Sequence, residues 1–137
     1  MPLPSGLPEN VSDEEFLARF LTSSGHFNSL GAKHAAFMPS AKDGKTSVFR
    51  HGHEPSEALQ AIGKQHVAGE RRLFGAAMIT AAEVRAVSLE LKACEPPDRH
   101  ADIVRWPWRA EDPDFAKGER KLLAMALAQK SETSWFK

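Results

Sequence analysis

Arg50, His51 and His53 form one short polar cluster in the chain, and Arg99, His100 and Asp102 form another. Imidazole and carboxylate groups move protons near neutral pH or ligate Zn, Fe or Mn, and a guanidinium holds an anion. Residues two apart on an extended segment project from the same side. The spacing therefore sets His51 beside His53, and His100 beside Asp102. If the two segments run side by side, His51, His53, His100 and Asp102 make a candidate catalytic group, with Arg50 and Arg99 to bind an anion. No cofactor is required by the sequence; a divalent metal at His51, His53, His100 and Asp102 is the alternative use of the same donors. Two features count against chemistry. Gly52 and Pro55 put the first pair in a turn, where histidines are commonly just solvated, and Val104 and Trp106 draw the second pair toward the core.

A second pattern, Arg105, Trp106, Trp108 and Arg109 around Pro107, interleaves cations with aromatic rings. Such a surface suits a protein-interface hot spot, and equally the stacking of single-stranded nucleic acid. The 18 basic and 18 acidic side chains cancel, which favours a protein partner, because phosphate contacts normally dominate nucleic-acid affinity. The plainer reading buries Trp106 at a strand end and lays Trp108 over a helix start. His26, His34 and His66 read as structural residues, and Lys117, Arg120 and Lys121 as the solvated face of a helix.

Other motifs fail on their surroundings. Gly44-Lys45-Thr46 lacks the earlier glycine of a phosphate loop, since Pro39 stands there, and β-branched and aromatic residues follow instead of a helix. Cys94 is the sole cysteine, so no disulfide framework exists. With no His or Asp two residues away, it reads as a small packed side chain.

The elements that must position these residues follow from local signals. Ser12 and Glu15 form a capping box, Val11 and Phe16 a staple, and Phe16, Leu17, Phe20 and Leu21 a stripe, so the pattern predicts a helix over 12–25. Strands are predicted over 33–38 and 46–51, joined by a turn at Asp43-Gly44. Pro55 opens a helix with Leu59, Ile62 and His66 or Val67 inward, which Gly63 weakens and Gly69 ends. The apolar run 72–79 reads as a strand covered on both faces. Thr80 and Glu83 cap a short helix over 81–86. Strands over 88–93 and 100–106 flank the Pro96-Pro97-Asp98 turn, and Pro113 opens a helix to 130 with Phe115, Leu122, Leu123 and Ala126 inward.

This order predicts a single α+β domain over 12–130, with a mostly antiparallel sheet of about five strands. Three main helices pack chiefly on one face. A flexible N-terminal arm spans 1–11 and a C-terminal tail 131–137. The Pro-rich start does not resemble a signal peptide, and the run 73–79 is far short of the ~20 residues that span a bilayer. A cytoplasmic protein with no membrane association is expected. The leading function is a small accessory or interaction module that holds a protein partner through Arg105, Trp106, Trp108 and Arg109. The alternatives are a small enzyme acting on a phosphate-bearing or nucleotide-like substrate through the His/Arg/Asp cluster, and a single-stranded nucleic-acid binder.

Overall fold

Phe16, Leu17, Phe20 and Leu21 crowd a segment that a helix could bury on one side only. In the computed structural model, which describes residues 3–51, 55–108 and 111–136, this segment is a strand, β1 (Phe16–Leu21). It lies near the middle of the sheet with Leu17, Ala18, Phe20 and Leu21 all buried. Leu17 and Leu21 enter one core, and Ala18 and Phe20 enter a second on the opposite face. A central strand buries both of its faces, so the expected helix over 12–25 gives way to tertiary pairing. The Ser12–Glu15 box forms only in part: the Ser12 N–H donates to the Glu15 carboxylate at 2.7 Å, but the Glu15 N–H donates to the Ser12 carbonyl at 3.1 Å rather than to its hydroxyl. It closes a turn into β1.

Six antiparallel strands make the main sheet. In chain order β1 is followed by the short hairpin strands β2 (Phe27–Asn28) and β3 (Gly31–Ala32), which form a separate two-stranded sheet. Then come β4 (Thr46–His51), β5 (Gly75–Thr80), β6 (Glu90–Ala93), β7 (His100–Val104) and β8 (Glu132–Trp135). Their spatial order is β6-β7-β4-β1-β5-β8. The architecture is the expected single α+β fold, with one strand more in the main sheet and the extra hairpin. β8 arises from the predicted tail. It fits against β5 because Gly75 has no side chain; any Cβ there would run into the Ser134 carbonyl.

Three helices connect the strands: α1 (Ser56–Gly63), α2 (Ala81–Ala86) and α3 (Pro113–Lys130). None is long and apolar enough to cross a membrane. α2 and α3 cover one face, where Val84, Ala124 and Leu127 meet Leu17, Ile79 and Ile103. α1 and the π-turn after it cover the other, where Leu59 and Ile62 meet Phe20 and Phe49. Gly63 lets α1 press onto Phe20 and Leu73, both of which would meet an added Cβ at 2.8 Å. The Thr80–Glu83 capping box forms as predicted, and Asp112 caps α3. The inner face of α3 differs from expectation. Ala116, Ala124 and Leu127 are buried, whereas Phe115 and Leu122 are exposed. Small residues let this helix lie against the turn at His34–Ala36, leaving no room for a ring.

That turn replaces the predicted strand over 33–38. β1 and β4 pair only as far as Ala18 and Phe49. Beyond that point Arg19 fills the gap, donating from Nε to the Ala36 carbonyl at 2.6 Å and from Nη1 to the Ser47 carbonyl at 2.9 Å. Arg50 is committed more completely. It is 1% exposed and faces away from His100, donating to both carboxylate oxygens of Glu15 at 2.7 and 2.9 Å and to the carbonyls of Pro8 at 2.7 Å and Asn10 at 3.4 Å. Burial acts to raise the Glu15 pKa, but hydrogen bonds from Arg50 and Ser12 outweigh it and hold the carboxyl below its ordinary 4.5.

Removing the Glu15 charge with Glu15→Gln leaves Arg50 buried without its counter-ion, and a loss of about 3 kcal/mol at neutral pH is expected from urea unfolding. A lowered folded-state pKa makes this contribution complete above pH 4.5 and lost as pH falls through the lowered value. The unsubstituted protein should thus lose more stability than the variant as pH falls below 4.5. Parallel stability curves would remove the ion pair from that role.

Candidate functional site

The two polar clusters do meet. β4 runs antiparallel to β7, with Phe49 opposite His100 and Ser47 opposite Asp102. Opposed residues share a face, so Ser47, Phe49, His51, His100 and Asp102 all project to the side that α1 covers. His51 lies at the end of β4, beyond Phe49 and opposite Phe16 of β1. His53 and Arg109 lie outside the described residues. Arg50 points to the opposite face and is spent on Glu15, so its guanidinium is a structural group rather than part of an anion site. Arg99 takes a left-handed backbone conformation (φ 70°) as the chain enters β7, and its Nη1 donates to the Arg50 carbonyl at 3.4 Å.

His100 is held from two sides. Its Nδ1 stands 2.8 Å from the Cys94 carbonyl, and its Nε2 stands 2.6 Å from Ser47 Oγ. A carbonyl can only accept, so Nδ1 carries the proton in the neutral ring. Nε2 then offers a lone pair, to which the Ser47 hydroxyl donates. Asp102 Oδ1 lies 3.7 Å from the same nitrogen. The group can therefore take up a proton at Nε2 beside a carboxylate, or present that nitrogen to a metal.

Two of these participants were hidden from spacing along one segment. Ser47 reaches His100 across the β4–β7 pair. Cys94 reaches it across the β6–β7 pair, where its N–H donates to the His100 carbonyl at 2.9 Å. A cavity of about 300 Å³ adjoins Ser47 and His100, and Phe49, His66, Arg19 and Arg71 also line it. His66 stacks on Phe49 with ring centroids 6.2 Å apart. Burial, and then the neighbouring Arg71 cation, lower the pKa of Arg19 from its ordinary value.

At the far end of β7 the Arg/Trp segment divides. Trp106 is 8% exposed and its indole donates to the Ile103 carbonyl at 3.1 Å, so it plugs the core. Trp108 is 73% exposed. It forms part of a groove of about 710 Å³ between the 39–45 turn, the 104–108 segment and α3. Lys42, Lys45, Arg105, Lys117 and Arg120 line this groove together with Asp43. Arg120 donates to the Pro107 carbonyl at 3.0 Å and sets its guanidinium 5.2 Å from the Trp108 ring, which fixes the indole at the rim.

No family model, curated protein or solved structure matches the chain. The functional reading therefore rests on these two places alone.

The division between the tryptophans is measurable. Trp106→Ala should cost about 3–5 kcal/mol of folding stability, as removal of a buried indole does. Trp108→Ala should stay within about 0.5 kcal/mol of the unsubstituted protein. Equal losses in chemical denaturation would contradict the assignment of one ring to the core and the other to the surface.

Proposed function

We propose that this protein is a small interaction module that holds an acidic segment of a partner protein in the groove beside Trp108. One observation carries the reading: an indole left 73% exposed at the rim of a groove that holds five cations and a single carboxylate. Exposed Trp flanked by Arg is the residue pairing of binding hot spots, and a ring fixed before binding loses little entropy on contact. The charge is local. The chain as a whole is neutral, so the groove selects an acidic stretch without drawing the whole molecule to a polyanion.

A short fluorescein-labelled peptide of alternating Glu and Phe, followed by fluorescence anisotropy at low salt, tests the proposal. It should bind saturably, and Trp108→Ala or Lys117→Glu should each weaken binding by about tenfold, roughly 1.4 kcal/mol. A Lys/Phe peptide should not compete. Equal affinity for both peptides would overturn the reading. So would tighter binding of oligo-dT, which would instead assign the groove to single-stranded nucleic acid.

A further inference from the structure

We propose that Cys94, His100 and Asp102 are three protein ligands of a zinc-type divalent metal ion. The inference is independent of the groove. Cys94 Sγ, a ring nitrogen of His100 and a carboxylate oxygen of Asp102 all lie within 4.8 Å of one another. Around tetrahedral zinc, bond lengths of 2.0–2.3 Å put neighbouring ligand atoms about 3.3–3.6 Å apart. The His100–Asp102 pair, at 3.7 Å, is already close to that spacing. Cys94 is exposed, and its sulfur moves about a single side-chain torsion.

The surroundings of the three residues fit the same role. His100 and Asp102 lie two residues apart on β7, and Cys94 directly follows β6 with its N–H bonded to the His100 carbonyl, so the end of the strand pair fixes their separation. The Nδ1–H of His100 donates to the Cys94 carbonyl. Metal-binding imidazoles are typically oriented by such a bond to the other nitrogen. It leaves Nε2 as the lone-pair nitrogen, 3.7 Å from Asp102 Oδ1 and accepting from Ser47. That carboxylate is 7% exposed, and its Oδ1 lies 3.7 Å from Nε2. A cation held there would gain a largely buried carboxylate as its counter-charge.

Thiolate, imidazole and carboxylate together suit zinc or another transition metal, and not Mg²⁺ or Ca²⁺, which take oxygen ligands. Ser47 Oγ donates to the single lone pair of Nε2, so on metal binding it must turn aside or become the fourth ligand on that side. That side borders the cavity shared by Ser47 and His100. Three protein ligands with a fourth position open to solvent is the arrangement of catalytic zinc rather than structural zinc.

Titration of the full chain with Co²⁺ as a spectroscopic substitute reads the site directly. One equivalent should produce tetrahedral visible bands and a near-ultraviolet band from sulfur-to-cobalt charge transfer. Cys94→Ser, at an exposed position, should retain the fold by circular dichroism and lose the charge-transfer band. His100→Gln should weaken Zn²⁺ binding at least tenfold in competition with a chromophoric chelator. Absence of the charge-transfer band in the unsubstituted protein would overturn the site. So would folded Cys94→Ser or His100→Gln protein that binds Zn²⁺ as tightly as the unsubstituted chain.

Discussion

A guanidinium enclosed in the body of the protein has to be answered on every donor, and Arg50 shows how much chain that demand organises. The carboxylate of Glu15 and the carbonyls of Pro8 and Asn10 converge on it from the segment preceding β1. Its backbone N–H donates to the Arg99 carbonyl at the entry to β7. One residue thus ties the N-terminal approach to β4 and the turn before β7 to the same strand. Leaving Glu15 out would strand a buried charge, which is far more expensive than an unmade surface contact. The position of β4, and with it of Ser47 and Phe49, is fixed by this requirement as much as by apolar packing.

Arg50 also shows why part of the site was legible and part was not. The alternation that puts His100 and Asp102 on one face needs only their spacing, and the structure keeps them together. The same alternation sends Arg50 to the opposite face from Phe49 and His51, so proximity in sequence was misleading for that residue. Ser47 and Cys94 reach His100 only through strand pairing. No spacing within one segment contains that information, because register depends on which strands become neighbours.

Local signals were most dependable where burial agreed with them. Thr80 and Glu83 cap α2, Pro113 opens α3, and the small apolar residues of β5 read as a doubly covered strand. The Ser12–Glu15 box is the instructive exception. Its Glu15 half forms, yet the segment after it extends, because Leu17 and Leu21 on one side and Ala18 and Phe20 on the other each find a core. A stripe at positions 16, 17, 20 and 21 is compatible with either geometry, and only the presence of two layers decides between them. On α3 the sequence marks the helix but not its rotation, since Ala116 and Ala124 win the inner face by being small.

Arg19 gives the sheet an unusual local economy. Where β1 and β4 part, the carbonyl of Ser47 would face empty space, yet it receives a side-chain donor in place of a neighbouring strand. The two strands can therefore splay without an orphaned acceptor, and the depression bordered by Ser47, Phe49 and Phe20 opens in that fork. An antiparallel sheet is ordinarily a closed wall. Here a single long side chain works as a wedge that keeps a seam in the wall open, and the seam lies beside the imidazole of His100.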